Sequence, residues 1–254
     1  MVWNLAAAAL AYLVVPLLLP LYKKQASRNY RGESVPAGLG YSFLLPAVLV
    51  MILRSGRAVQ PLLCAILLLL FAALGAVDDA LGSPDQKGFR GHLRGGVLSS
   101  GALKSLGGAV SALVAASLLE SGWLELLVNG GLMALGANFL NLLDLRPGRA
   151  AKAFLLLSLP FHFFTPRPVP LQVLCGAVLG YLPWDLSRKA MMGDTGANPL
   201  GAALGLMAAW YLPLAVKAVL LAALAALNLL SERISFSRVI EGSRFLDFLD
   251  RLGR

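Results

Sequence analysis

Long apolar runs separated by short polar segments dominate this sequence, and the first of them covers residues 1–22. That run is long enough for the ~20 residues that an α-helix needs to cross a bilayer. The other clear runs cover residues 36–53, 58–77, 105–119, 124–142, 153–164 and 171–186. The last run, 202–230, contains Pro213 and is too long for one ordinary span; we interpret it as two helices, with a single tilted helix as the alternative. The pattern predicts an all-α polytopic membrane protein with about nine transmembrane helices.

Composition and charge agree with this pattern. Hydrophobic residues make up 58% of the 254 positions and charged residues only 14%, whereas an average soluble domain is about a quarter charged. Most of the 22 basic residues fall in segments that nine spans would place on one side, which the positive-inside rule identifies as the cytoplasm. We therefore expect the N-terminus outside and the C-terminus inside. Because orientation explains the net charge of +9, we expect no nucleic-acid partner.

The chain divides near residue 230. Residues 1–230 carry the apolar runs, and residues 231–254 form a basic segment in which charged residues alternate with apolar ones such as Phe245 and Leu249. We expect a transmembrane domain followed by a cytoplasmic amphipathic tail helix. Such a helix is suited to the membrane interface or to packing against the inner loops, and the sequence leaves both alternatives open.

Acidic and amide side chains cluster at the inner ends of the apolar runs. The expected topology brings six of them to the cytoplasmic face from three distant segments: Asp78, Asp79, Asn138, Asn141, Asp144 and Asp194. Carboxylate and amide oxygens are hard ligands that suit Mg²⁺ or Mn²⁺. Cations that can neutralise phosphate oxygens lie nearby in the sequence: Lys104, Arg146, Arg149 and Lys152. The pattern indicates diphosphate chemistry on a lipid-linked substrate.

A glycine-rich segment adds an anion site to this pattern. Residues 193–196 read Gly-Asp-Thr-Gly and open a predicted helix. The first N–H groups of a helix have no partner within it, and the helix dipole favours negative charge there. We expect these N–H groups to be available to a phosphate.

Each feature also has an ordinary structural explanation. The Asp78–Asp79 pair can be a solvated helix end, although the helix dipole disfavours anions there. Asn138 and Asn141, three residues apart on a helix, can form a polar face between two helices. Asp194 can belong to a simple turn. The chemical interpretation therefore depends on their joint occurrence at one membrane face.

Four segments, in order, resemble the polyprenyl-phosphate N-acetylhexosamine-1-phosphate transferase family, which includes the MraY and WecA enzymes. RGESVPAGLG at 31–40 is similar to the Pro/Gly-rich loop after the family's first span. GAVDDA at 75–80 resembles its Asp-Asp motif, and NFLNLLD at 138–144 its Asn-x-x-Asn-x-x-Asp motif. MGDTGANPLGAALG at 192–205 resembles its Met-Gly-Asp-x-Gly-Ser motif, the most specific of the four. The resemblance extends over nearly the whole chain.

The resemblance implies an enzyme of the bacterial cytoplasmic membrane that makes cell-envelope glycans. It implies Mg²⁺-dependent transfer, with Mn²⁺ as an alternative ion, of a sugar 1-phosphate from a UDP-sugar to undecaprenyl phosphate, releasing UMP. A homodimer is the assembly that we consider, although the sequence does not determine the oligomeric state.

The same analogy assigns roles to individual residues. Asp194 and Asn141 become metal ligands with Asp79 beside them, Asp78 lies where the lipid phosphate is activated, and Lys104 holds a phosphate. The expected catalytic residues are thus Asp78, Asp79, Asp144 and Lys104. The expected substrate-binding residues are Asn138, Arg146, Arg149, Lys152, Gly193, Thr195 and Gly196.

Two departures from the family pattern leave the sugar open. The family usually places a second acidic residue shortly after the position of Asp144, whereas this chain reads LRPGR at 145–149. The family's His-rich cytoplasmic loop, which helps to select the nucleotide sugar, is missing, and the chain has the amphipathic tail instead. These departures keep a second hypothesis in view, a non-catalytic relative that binds lipid phosphate or scaffolds envelope assembly.

A third hypothesis is a transporter that uses its carboxylates inside the membrane. The predicted spans carry no acidic residue near their midpoints, where a site with alternating access is expected. The sequence therefore favours the transferase.

Overall fold

The computed structural model describes residues 2–23, 26–81, 100–119, 122–165 and 168–254, without the side chains of 78, 80, 81 and 100–105. These residues form eleven helices and one small two-stranded sheet. The helices that precede the tail are α1 (Val2–Tyr22), α2 (Tyr41–Ser55), α3 (Val59–Leu81), α4 (Ser100–Ser117), α5 (Trp123–Leu143), α6 (Arg149–Phe164), α7 (Val169–Leu186), α8 (Gly193–Tyr211) and α9 (Leu214–Ser231). The tail contributes α10 (Phe236–Gly242) and α11 (Arg244–Arg251). The all-α prediction is confirmed.

Five of the described helices are both long enough and apolar enough to cross a membrane. They are α1, α5, α7, α9 and residues Val59–Val77 of α3. Helix α2 and residues Leu106–Ser117 of α4 are apolar but shorter. The chain is therefore a polytopic membrane protein, as its hydropathy predicts.

Helix α8 lies at the centre of the bundle and packs mainly against α3 and α5. Fourteen of its 19 residues are buried, many of them glycine or alanine. Small residues let two helix backbones approach closely; a Cβ built on Gly201 would lie 2.0 Å from the carbonyl oxygen of Gly136. By contrast, α1 and α9 expose most of their apolar side chains. The lipid-facing helices thus surround a core made of small residues.

Helix α8 starts before its apolar run. The run begins at residue 202, whereas the helix begins at Gly193, so the Gly-Asp-Thr-Gly segment opens a helix as predicted and residues 193–201 form its first turns. The segment is buried between other helices, so its low hydropathy does not mean that it faces water. The break near Pro213 is confirmed, because α8 ends at Tyr211 and Pro213 is the N-cap of α9.

A short hairpin precedes α2, where the sequence predicted a helix from residue 36. Strands β1 (Ala26–Arg28) and β2 (Ser34–Pro36) pair antiparallel, with Ser27 opposite Val35. The following residues are held by the segment before α8, since Leu39 N–H donates to Met191 O and Gly40 N–H to Met192 O. The loop between α1 and α2 is therefore attached to the base of the central helix.

Candidate functional site

A carboxylate from α3 caps the N-terminus of α8. Asp79 Oδ1 accepts from the backbone N–H of Asp194 at 3.2 Å, and Oδ2 accepts from the N–H and the hydroxyl of Thr195 at 3.1 and 2.6 Å. The C-terminal end of its own helix disfavours an anion, but the N-terminus of α8 favours it. Two of the N–H groups that we expected to be available to a phosphate are therefore already bonded to the protein's own carboxylate.

Glycine makes this close approach possible. Gly193 has a φ of +63°, and a Cβ added there would lie 2.9 Å from an oxygen of Asp79. On the other side, a Cβ on Gly75 would lie 2.5 Å from the carbonyl group of Asp194. Larger residues at either position would push α3 and α8 apart and separate the carboxylate from the helix end.

Helix α5 adds two more members of the predicted site. Asn141 Nδ2 donates to Asp194 Oδ2 at 3.2 Å. Asp144, just beyond the end of α5, accepts from the backbone N–H of Gly193. Burial raises the pKa of Asp144 to about 7, the negative charge of Asp79 acts in the same direction, and the Gly193 N–H opposes both. Side chains from α3, α5 and α8 therefore converge on one point.

A cavity of about 1090 Å³ opens beside this point. Such a volume accommodates a ligand larger than a typical drug. Its walls come from the β1–β2 hairpin, the α5–α6 loop, the α7–α8 loop and the start of the tail. The polar residues of the predicted site that line it are Asp79, Asn141, Asp144, Arg146, Gly193 and Asp194.

The donor atoms around the cavity suit Mg²⁺. In the described part of the chain no three His, Cys, Asp or Glu side chains form a metal cage, but Mg²⁺ usually takes only one or two carboxylates along with water and substrate phosphates. Asp194 supplies a carboxylate, and Asn141, whose Nδ2 donates to that carboxylate, supplies an amide oxygen. Burial and, to a lesser extent, the negative charge of Asp79 raise the pKa of Asp144. A divalent cation would relieve the repulsion between these two carboxylates.

Arg146 links two walls of the cavity. Its guanidinium carbon lies 4.3 Å from the centre of the Tyr30 ring in the hairpin turn. Its Nη2 donates to Glu241 Oε1 in α10 at 2.8 Å. Arg146 lies in the segment that departs from the family pattern, and it joins the hairpin to the tail at the cavity wall.

Arg149 and Lys152 bind the tail. Arg149 is only 4% exposed and makes a two-pronged ion pair with Asp250, both distances being 2.9 Å. Lys152 Nζ donates to the carbonyl oxygens of Leu249, Asp250 and Leu252, which are the exposed acceptors at the end of α11. In the structure the tail therefore packs against the start of α6.

The remaining predicted residues fall into three sets. Asn138 Nδ2 donates to Asn228 Oδ1 of α9, a contact between helices of the kind that was the structural alternative for this residue. Thr195 and Gly196 lie in the first turn of α8. The side chains of Asp78 and Lys104 lie outside the described residues.

Among the residues that line the cavity, the sequence did not assign Tyr30, Asp185 or Arg188 to the site. Tyr30 is one aromatic residue in a polar loop. Asp185 and Arg188 follow an apolar run and look like span-flanking charges. Only the three-dimensional structure brings them to the cavity.

The fold and site define a multi-pass membrane protein with an acidic, cation-lined cavity at one end of its helix bundle. Residues 61–212 match the family described as Glycosyl transferase family 4. The match spans more than half of the chain, and the chain belongs to this family. Its members, of the MraY/WecA type, are sugar-1-phosphate transferases that use polyprenyl phosphate, so the chain falls in their enzyme class. No curated protein matches the chain significantly.

Proposed function

We propose that the protein transfers a sugar 1-phosphate from a UDP-sugar to undecaprenyl phosphate and releases UMP, in cell-envelope glycan synthesis. An oxygen of the lipid phosphate attacks the sugar-bearing phosphorus of the donor. The bond from that phosphorus to the bridging oxygen breaks, and the oxygen leaves with UMP. The observation that carries the proposal is the convergence of Asp79, Asn141, Asp144 and Asp194 beside one large cavity.

Mg²⁺ fits this site through Asp194 and Asn141, with Asp144 and Asp79 adjacent. Bound there, the ion would neutralise the diphosphate and stabilise the leaving UMP. A lipid phosphate is already ionised near neutral pH, so the attacking oxygen needs little help from a base. The protein's own contribution is then to align the donor and acceptor phosphates.

Asp79 serves this alignment by fixing the first turn of α8. Its two oxygens hold Asp194 and Thr195 in place, so the side chain of Asp194 is presented from a rigid helix end. Asp78, one residue earlier, is proposed to face the lipid phosphate, and Lys104 to hold a phosphate. Arg146, which faces the cavity beside Tyr30, is proposed to contact the donor.

The proposal includes an orientation. Nine helices, α1 to α9, cross the cytoplasmic membrane with the N-terminus outside, and residues 231–254 form a cytoplasmic tail domain. The cavity then opens to the cytoplasm, where UDP-sugars are made, and the acceptor lipid reaches it from the inner leaflet. The clustering of basic residues on this side supports the orientation.

The test is a UMP-release assay with purified protein, undecaprenyl phosphate, Mg²⁺ and a panel of UDP-sugars. We expect release with at least one donor, and loss of release on adding a chelator or on the change Asp194→Asn. Binding of polyprenyl phosphate without release for any donor, and unaffected by Asp194→Asn, would instead identify a non-catalytic lipid-phosphate protein.

A further inference from the structure

One face of α7 carries an unusual set of buried polar atoms. Tyr181, Asp185 and Arg188 lie four and three residues apart, the spacing of one helical face continued just past the helix end. The Tyr181 hydroxyl, Asp185 Oδ2 and Arg188 Nε are all buried and have no hydrogen-bond partner among the described residues. Buried polar atoms in folded proteins nearly always have partners, so such a set calls for a ligand or ordered water.

Asp185 and Arg188 border the large cavity, whereas Tyr181 is fully buried and does not line it. Asp185 is 3% exposed, and it accepts one hydrogen bond, from the backbone N–H of Gly148. Its second oxygen is thus an acceptor without a donor. Arg188 Nε is a donor without an acceptor, so these two atoms do not bond to each other.

The backbone of Arg188 is also unusual. Its φ of +59° makes it the one non-glycine residue with a positive φ in the described ranges. An arginine is disfavoured in this conformation, and such strain is typically retained at functional sites. The segment just after it leads directly to Gly193 and the first turn of α8, so a strained arginine is held next to the predicted metal site.

An acceptor and a donor side by side select the chemistry of the ligand. A phosphate would satisfy Arg188, but a phosphate without a proton has no donor for the second oxygen of Asp185. A pair of neighbouring hydroxyl groups would satisfy both, because one hydroxyl can donate to Asp185 while the other accepts from Arg188.

We propose that Asp185 and Arg188 form a hydroxyl-binding subsite for a sugar ring of the nucleotide-sugar donor. The inference rests on the proposed function, because it assumes that a UDP-sugar occupies the cavity. Both the ribose of the nucleotide and the transferred sugar carry neighbouring hydroxyl groups. The subsite selects the donor by a polar contact that comes from α7 and the loop after it.

The test measures the affinity of the purified full-length protein for UMP, UDP, pyrophosphate and UDP-N-acetylglucosamine by calorimetry with Mg²⁺. The variants are Asp185→Leu, Arg188→Gly and the control Lys189→Gln. Lys189 is exposed, lies over the Trp184 ring and does not line the cavity. We expect Asp185→Leu and Arg188→Gly to weaken sugar-nucleotide binding about 10-fold to 100-fold, the effect of losing hydrogen bonds to charged groups, and Lys189→Gln to leave it unchanged.

The unfolding temperature separates a ligand-binding role from a structural one. Asp185→Leu removes a buried carboxylate that has one unpaired oxygen, and Arg188→Gly relieves the positive φ, so both midpoints should equal or exceed that of the wild type, by about 2 °C for Arg188→Gly. If both variants unfold at a lower temperature than the wild type while their folded molecules keep its affinity for the sugar nucleotide, both residues are structural and the proposal is wrong.

The choice of ligands identifies the ring. Equal weakening for UMP and UDP-N-acetylglucosamine assigns the subsite to ribose; weakening for UDP-N-acetylglucosamine alone assigns it to the transferred sugar. If Arg188→Gly weakens pyrophosphate while Asp185→Leu strengthens it, the site binds phosphate and the proposal is wrong. Wild-type protein that binds no uridine nucleotide would overturn the proposed function itself. Normal binding by the wild type with unaffected binding by the variants would overturn only the subsite.

Discussion

Asp79 and Thr195 are 116 positions apart in the chain, yet the carboxylate of one accepts both the N–H and the hydroxyl hydrogen of the other. The bond pair joins the end of α3 to the start of α8. It explains how an anion is tolerated at the C-terminal end of a helix, because it lies at the N-terminus of another. It also fixes the turn that carries Asp194.

Thr195→Val tests this link. Valine keeps the shape of threonine but removes the hydroxyl donor to Asp79, so we expect a loss of about 1–2 kcal/mol in the free energy of unfolding. Because the first turn of α8 becomes less well fixed, UMP release should also fall. Thermal unfolding and the release assay measure the two effects, and Thr195→Ser, which keeps the donor, should stay near wild type. Equal behaviour of the valine and serine variants would show that the hydroxyl bond is unimportant.

Asn138 and Asn141 provide a comparison on one helix. Asn141→Leu removes the partner of Asp194, and we expect UMP release to fall at least about 100-fold, the scale of losing a group that holds a metal or its ligand. Asn138→Leu breaks the contact with Asn228 and should cost about 0.6 kcal/mol of stability with a much smaller effect on turnover. If both variants lose turnover equally while remaining folded, Asn138 also acts on the substrate.

The ion pair between Arg149 and Asp250 is expected to hold the tail in place. Asp250→Asn leaves a buried guanidinium without its full partner, so the free energy of unfolding should drop by about 3–5 kcal/mol. Replacing both residues, as in Arg149→Met with Asp250→Leu, should recover most of that loss. The exposed pair Arg251–Asp247 supplies the control, since Asp247→Asn should change stability by less than about 0.5 kcal/mol. If the tail does not contribute to stability, Asp250→Asn and Asp247→Asn should change the free energy of unfolding by equally small amounts.

The same pair gives a pH dependence. Burial alone would raise the pKa of Asp250, but the hydrogen bond and charge of Arg149 together with Arg254 lower it below the usual 3.8. The resulting stability is fully present above pH 3.8 and is lost as the pH falls through the lowered pKa of the folded state. We expect wild-type unfolding free energies to fall more steeply below about pH 4 than those of the Arg149→Met/Asp250→Leu variant, by the linkage relation. Parallel curves in chemical unfolding would contradict the assignment.

The convergence of Asp79, Asn141, Asp144 and Asp194 could be predicted because it follows from topology. Each lies at the inner end of an apolar run, and alternating spans bring those ends to the same face. Hydropathy failed at the start of α8 for a physical reason. A helix buried among other helices needs small residues for close packing, so Gly193–Gly201 is no more apolar than a loop.

Pairing partners could not be predicted in the same way. Arg149 and Lys152 have the charge and position of phosphate ligands, but whether a cation meets a substrate or a carboxylate depends on where the tail docks. The positive φ of Arg188 and the unpaired oxygen of Asp185 are likewise properties of the folded chain, with no local signature in the residues themselves.

The most direct test of the account is UMP release by wild-type protein and by Asp194→Asn, each with undecaprenyl phosphate, Mg²⁺ and a panel of UDP-sugars. We expect release by the wild type with at least one donor, and we expect the Asp194→Asn variant to be folded but slower by about 1000-fold, because the charge stabilisation of the transition state is removed. Wild-type release that is unaffected by Asp194→Asn and by a chelator, or no release with any donor, would contradict it.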